Sequence, residues 1–167
     1  EIYRHAKLAG LLVTVFTSAT LVSEDIVQLF GELPPLAVEI TLYGATPNTH
    51  DRVTKVPGSY HRSLEGTERL LGAGVKVRLK TMVLTLNRHE LRAMEALADQ
   101  YDVKFRSDAE IMPCLDGDKA PLRFRVEPRE AVALEFANPK RARDWQRFYG
   151  RMDTALPADS LYGCGAG

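Results

Sequence analysis

Cysteine is nearly absent from this chain. Only Cys114 and Cys164 occur in 167 residues, too few for a disulfide framework. An excess of either charge is also lacking. Lys plus Arg and Asp plus Glu number 22 each, so no net field draws the chain to nucleic acid or to an anionic membrane. No apolar run approaches the roughly 20 residues that span a bilayer, and no segment reads as a secretory leader. The expectation is a reducing, cytoplasmic location, with neither nucleic acid nor membrane as a partner. Common site signatures are missing as well: there is no P-loop, GxGxxG, HExxH or GxSxG. His5, His50, His61 and His89 have no metal-ligand spacing and read as surface or loop histidines. Asp116 and Asp118 flank Gly117 but lack the other ligands of a calcium loop.

What is present is a repeated strand-then-helix pattern. β-prone runs at Leu11–Phe16, Leu36–Leu42, Val75–Val83 and Val103–Ile111 are each followed by a short polar or small-residue run. Alternating βα units imply a parallel sheet with outer helices, and such folds carry their ligands at the carboxyl ends of the strands. The first place to look is therefore Thr17–Thr20, Tyr43–Thr46, Thr85–Asn87 and Met112–Cys114. Gly10, Gly31, and the pair Gly72 and Gly74 read as helix stops. Ser23 and Ser59 read as helix caps, and Asn87-Arg88-His89-Glu90 as a capping box. Residues 43–58 read as a long loop. Leu122–Val126 reads as a short extended piece, and Pro128 and Pro139 each open a helix.

Val75–Val83 is unusual because it alternates. Val75, Val77, Leu79 and Val83 share one face, and Lys76, Arg78, Lys80 and Met82 the other. A parallel strand covered on both sides should be apolar on both. Two readings stand: an edge strand with a wet face, or a barrel wall whose lumen takes a polar ligand. The ends look cut. Glu1 begins inside a helical pattern, and the sequence stops in the glycine-rich run Gly163–Gly167. An internal piece of a longer protein is the expectation.

Taken in order, the strand ends resemble the radical S-adenosylmethionine superfamily. Thr17-Ser18-Ala19-Thr20 resembles its TNG/TNAT turn, and Glu39–Gly44 its "isldG" strand end. His50-Asp51-Arg52 followed by Gly58-Ser59-Tyr60 is similar to its "hD…GsF" stretch. Val83–Leu91 and Glu110–Pro113 resemble two later strand ends, and Tyr162–Gly167 the opening of a SPASM-type extension. The resemblance covers essentially the whole chain and points to the subgroup that modifies peptides or proteins. It implies a partial (β/α)6 TIM-like barrel holding strands three to six over residues 1–126. A helical connection at 127–157 and the start of a cluster-binding extension at 158–167 would follow.

The implied chemistry is reductive cleavage of S-adenosylmethionine at a [4Fe–4S] cluster, giving a 5′-deoxyadenosyl radical that takes a substrate hydrogen. The implied partners are a peptide or protein substrate and a reductant such as flavodoxin or ferredoxin. Thr17 and Ser18 match the cofactor-binding turn, with Ser18 where the family has Asn. Thr41 stands where a family Ser contacts the cofactor, and Arg62 where an Arg binds its carboxylate. Ile111 and Met112 would pack on the adenine. Ordinary alternatives are a strand threonine, a solvated arginine and core residues. Arg78 and Lys80 would face the lumen and bind substrate, or be salt-bridged structural residues. Cys164 would be a ligand to an auxiliary iron–sulfur cluster, whereas Cys114 reads as a free thiol.

The departure from the pattern is that CxxxCxxC and the "GGEP" turn are absent. Either they lie upstream of Glu1, or the protein is a degenerate barrel that acts as a peptide-binding scaffold. On either reading the chain alone should not cleave S-adenosylmethionine, and no catalytic residue is assigned within it. A third possibility is an unrelated α/β barrel acting on a phosphorylated metabolite.

Overall fold

The structure is a computed structural model and describes residues 1–152. A helix, α1 (Ile2–Leu8), leads into a unit in which strands and helices alternate. These are β1 (Thr14–Thr17), α2 (Glu24–Glu32), β2 (Ala37–Thr41), α3 (Pro47–Thr54), α4 (Ser59–Gly72), β3 (Val77–Met82), α5 (Leu91–Gln100) and β4 (Lys104–Asp108). The strands form one parallel sheet in the order β1-β2-β3-β4. This is the partial TIM-like barrel that the motif pattern implies, with every strand shorter than the β-prone run that encodes it.

The sheet has two unlike faces, set by the period of two along each strand. Val38 and Ile40 of β2 lie beside Val77 and Leu79 of β3. They pack into one core with Phe30 of α2, Leu70 of α4 and Ala98 of α5. Val38, Ile40 and Leu79 are fully buried, each worth about 1.5–3 kcal/mol of hydrophobic stabilisation. The opposite face carries Glu39, Thr41, Arg78, Lys80, Lys104 and Arg106. β3 sits between β2 and β4, so the edge-strand reading of Val75–Val83 is overturned. Its wet face is the lumen side of a central strand.

Several local expectations are corrected. Residues 43–58 are not a long loop: α3 occupies Pro47–Thr54, with Pro47 in its first turn and Thr46 as its cap. Ser59 is the first residue of α4 rather than its cap. Gly58 holds the cap position at φ 75°, and the capping oxygens come from Asp51. Ser23 occupies a cap position, but its side chain makes no capping hydrogen bond. Gly31 does not end α2, which runs to Glu32. Asn87–Glu90 is not a capping box, because both side chains bond elsewhere and the segment forms a short 3₁₀ turn. Residues Ala120–Phe124 form another 3₁₀ turn rather than an extended piece, with an isolated bridge between Leu84 and Arg125.

From Glu127 on the chain forms a separate unit. It holds α6 (Pro128–Phe136) and α7 (Pro139–Met152), each opened by its proline as expected. Trp145 stacks on Tyr149 at 5.7 Å and donates from Nε1 to Glu135 at 3.2 Å. Cys164 and the expected linker at 155–160 lie outside the described residues.

Among the described glycines, Gly66 of α4 leaves the least room, against the turn after β1. A Cβ built on Gly66 would lie 2.0 Å from the Ala19 carbonyl oxygen. Gly66→Ala should therefore push α4 off this turn and destabilise the chain by about 1–3 kcal/mol. Urea denaturation of the two forms measures this. An unchanged midpoint would show that the contact is relieved without cost.

Candidate active site

The sequence places its chemistry-bearing turns at strand exits, and the parallel sheet brings those exits to one edge. After β1, the Thr17 hydroxyl accepts from the Ala19 amide at 3.0 Å, and the Ser18 and Thr20 hydroxyls lie 3.0 Å apart. Ala19 is buried and held at φ 59°, a left-handed conformation that favours glycine. Such strain persists only where the surroundings enforce it, and here α4 does so through Gly66.

After β2, Gly44 lets the chain turn directly onto α3. A Cβ there would sit 2.7 Å from the His50 amide nitrogen. Two carboxylates then fix the segment. Asp51 accepts from the Gly58 amide at 2.6 Å, the Ser59 hydroxyl at 2.9 Å and the Tyr60 amide at 2.9 Å, capping α4 from α3. Glu90, beyond the exit of β3, accepts from the amides of Ala45 at 2.7 Å and Thr46 at 3.1 Å. It also accepts from the hydroxyls of Thr46 and Thr49. Asn87 is fully buried between them. Its Oδ1 accepts from the Leu84 amide at 2.7 Å, and its Nδ2 donates to the Met82 carbonyl at 3.0 Å.

His50 is buried and its Nδ1 accepts from the Tyr43 amide at 3.2 Å. That assignment puts its proton on Nε2, which has no hydrogen-bond acceptor and stands beside the Tyr60 ring, 5.7 Å between centroids. Burial pushes the His50 imidazole below its ordinary pKa, with Asp51 opposing. The Tyr60 amide, then the Gly58 amide and Ser59 hydroxyl, outweigh desolvation and hold Asp51 below the usual carboxylate value. For Glu90 burial acts upward, but the bonds from Thr49, Thr46 and Ala45 together outweigh it and lower the pKa.

These ties shape a groove of about 580 Å³ across the exits of β2, β3 and β4. Met82, Leu84, Leu86 and Phe124 give it an apolar lining, and Arg52, Lys55 and Glu110 supply charge. Arg52 is fixed there by donating to the Leu86 carbonyl at 2.8 Å. A cavity of this size, apolar with few polar groups, is typical of small-molecule sites.

Of the residues singled out from sequence, Ile111 and Met112 line this groove. Thr41 and Lys80 pair across β2 and β3 on the lumen face. Arg78 also lies there, its guanidinium 3.3 Å from Glu39. Thr17 and Ser18 stand at the exit of β1. Arg62 is exposed on α4 and donates to the Pro57 carbonyl at 3.4 Å. Thr17, Ser18, Thr41 and Arg62 are not among the described groove-lining residues. Tyr43 belongs to a strand-end run marked in the sequence, whereas Arg52, Lys55 and Phe124 were not anticipated. Arg52 carried a signal, since it directly follows His50-Asp51 in a quoted motif. Phe124 carried none, because the path of residues 113–124 has no periodicity to read. Among the described residues, no group of three or more His, Cys, Asp or Glu side chains could hold a metal ion. None of their helices is long and apolar enough to cross a membrane.

No protein-family model matches the chain. A curated relative, an AdoMet-dependent heme synthase of Methanosarcina barkeri, is 31% identical over 100 residues, covering 60% of this chain and 29% of that protein. The fold is shared with Streptococcus suis SuiB at a TM-score of 0.62, with 12% identity over 98% of this chain and 36% of that one. It is also shared with native anSMEcpe holding bound AdoMet and Kp18Cys peptide. There the TM-score is 0.61, with 13% identity over 83% of this chain and 38% of that one. The chain thus spans well under half the length of each.

Two outcomes are expected of this site. Glu90→Ala should cost roughly 2–3 kcal/mol, as the loss of hydrogen bonds to a charged group does. Hydrogen exchange should speed at the Ala45 and Thr46 amides first, and unchanged protection there would refute the tie. Stability should also fall on acidification. His50 is more readily protonated unfolded than folded, so its penalty grows as pH falls below about 6.5 until its lower folded value is passed. Asp51 and Glu90 stabilise above the ordinary carboxylate range, and that contribution is lost as pH falls through their lowered folded values. His50→Gln should remove the first decline and leave the second, read by thermal unfolding across pH.

Proposed function

We propose, on the premise that this chain carries the barrel of the radical S-adenosylmethionine superfamily, that it is part of a longer enzyme that modifies a peptide or protein. The observation that carries this reading is the common edge at which Thr17–Thr20, Thr41–Gly44 and Ile111–Pro113 emerge from one parallel sheet. Each is a turn that resembles a family motif. The bound peptide of the anSMEcpe structure supports a peptide substrate. A cytoplasmic setting and a small electron-transfer protein as reductant belong to the same proposal.

On this reading Ile111 and Met112, which line the groove, would offer an apolar wall to the adenine of S-adenosylmethionine. Thr41 and Arg62, outside that lining, would supply a hydroxyl and, on leaving the Pro57 carbonyl, a guanidinium for the cofactor's carboxylate. When bound and reductively cleaved, this cofactor supplies a radical that removes a hydrogen from the substrate. The chain's residues hold the cofactor, and the apolar groove limits water around it. The donor set does not fit the cleaving cluster. Cys114 is exposed and stands alone among the described residues, and Cys164 is the other cysteine of the chain. Cluster ligands must therefore come from elsewhere in the longer protein, and Cys164 is proposed as a ligand to an auxiliary cluster.

A second reading has an observation of its own. The curated relative is named for heme synthesis and is more similar in sequence than the peptide-bound anSMEcpe structure, so a tetrapyrrole-type substrate on the same barrel is the alternative.

Equilibrium dialysis of radiolabelled S-adenosylmethionine against the chain tests the reading. Retention is expected, with Thr41→Val and Arg62→Met each weakening it about tenfold, as loss of a hydrogen bond or a charged pair does. Coding sequence upstream should contain CxxxCxxC. No retention, together with no such motif, would leave the non-catalytic scaffold.

A further inference from the structure

The lumen face of the sheet is strongly and unequally charged. In register across β3 and β4, Arg78 lies beside Lys104 and Lys80 beside Arg106. Side chains in register on neighbouring strands point to the same face. Four cations thus share a patch about two strands wide and two residue pairs long, roughly 5 by 7 Å between attachment points. One carboxylate answers them at its centre: Glu39 of β2. Its Oε1 is 3.3 Å from Arg78 Nη1, and its Oε2 is 3.3 Å from Arg106 Nη2, which reaches across β3. Both Glu39 oxygens are therefore taken. Asp108, further along the same face of β4, accepts from the Glu110 amide through Oδ1.

The remaining charge is not matched. Lys80 extends across β2 and rests its Nζ 4.0 Å from the Phe16 ring centroid, a contact that leaves its ammonium protons for an oxygen acceptor. No carboxylate among the described residues pairs with Lys80 or Lys104. Arg78 Nε is shielded from solvent and has no hydrogen-bond partner. Beside Arg78 and Lys104 lies a cavity of about 340 Å³, lined by Glu39, Arg78, Lys104 and Arg106 together with Leu79 and Phe105, with Lys80 outside it. A shielded N–H donor without an acceptor is costly unless an acceptor arrives.

We infer that this patch is an anion subsite that receives a carboxylate of the substrate, held by Arg78 and Lys104. It rests on the barrel reading above and names the substrate class: a molecule carrying at least one carboxylate arm. The cavity suits one acidic side arm reaching in from the lumen. Two sources share that chemistry, a tetrapyrrole acid side chain and an acidic residue of a peptide.

Binding is measured on the chain with two matched pairs of probes. One pair is a porphyrin with free peripheral carboxylates and its methyl ester, followed by the porphyrin absorption band. The other is a short acidic peptide and its amidated counterpart, followed by equilibrium dialysis. In at least one pair the acid form should bind about tenfold or more tightly than its neutral form, and raised salt should weaken it. Arg78→Met and Lys104→Met should each erase most of that preference, with thermal unfolding confirming that each variant is folded. The pair that discriminates identifies the source. Acid and neutral forms that bind alike in both pairs, or a preference untouched in folded variants, would overturn the subsite. S-adenosylmethionine retention, measured in parallel, keeps the two ideas separate. Its loss with acid preference intact removes the cofactor reading, and the reverse removes the subsite alone.

Discussion

A single carboxylate holds the exits of two strands in fixed relation. Glu90 follows β3, yet its hydrogen bonds run to the segment after β2, where the amides of Ala45 and Thr46 would otherwise be unpaired at the start of α3. Every helix leaves its first amides without internal partners, and a short helix such as α3 has little packing with which to offset that cost. Supplying the acceptor from a neighbouring unit makes α3 dependent on the β2–β3 register. Asp51 repeats the device from α3 to α4. The groove walls are therefore tied to the sheet by charged hydrogen bonds rather than by loop packing. The buried, neutral His50 completes the turn by accepting from Tyr43.

That arrangement explains what the sequence could and could not disclose. Hydrophobic period two at Val75, Val77, Leu79 and Val83 marked β3, and glycine at position 74 marked the end of α4, because these signals are local. The strand runs were all read too long, since β-propensity continues into residues such as Leu11 and Leu12 that have no partner strand here. α3 was hidden because Asn48, Thr49, His50 and Asp51 are poor helix formers in isolation. Its stabilising acceptor lies some forty residues away, at Glu90. The same long-range bond disguised Asn87–Glu90 as a capping box. The spacing fits one, but both side chains gain more from bonds elsewhere.

The site was partly legible for a related reason. Arg78 and Lys80 could be placed on the lumen face from alternation alone, once their strand was known to be central, whereas Thr41 was singled out only by a motif. Alternation says nothing of the strand next door, so Lys104 and Arg106 were passed over. Their significance comes only from the pairing of β3 with β4. Arg62 shows the converse: a residue singled out from a motif has its guanidinium on the Pro57 carbonyl, a contact no sequence signal gives.

The chain's zero net charge conceals this segregation. Cations gathered on one sheet face must be balanced by acids elsewhere on the surface, and electrostatics alone would disperse them. Keeping like charges on adjacent strands costs stability through mutual repulsion, since opposed like charges on paired strands are destabilising. A purely structural wall would do better with alternating signs, as Glu39 already does locally with its two arginines. Lys104, retained beyond what Glu39 neutralises, is the charge that the inferred anion would answer. The same logic applies to the shielded Nε of Arg78, a donor set in place before its acceptor.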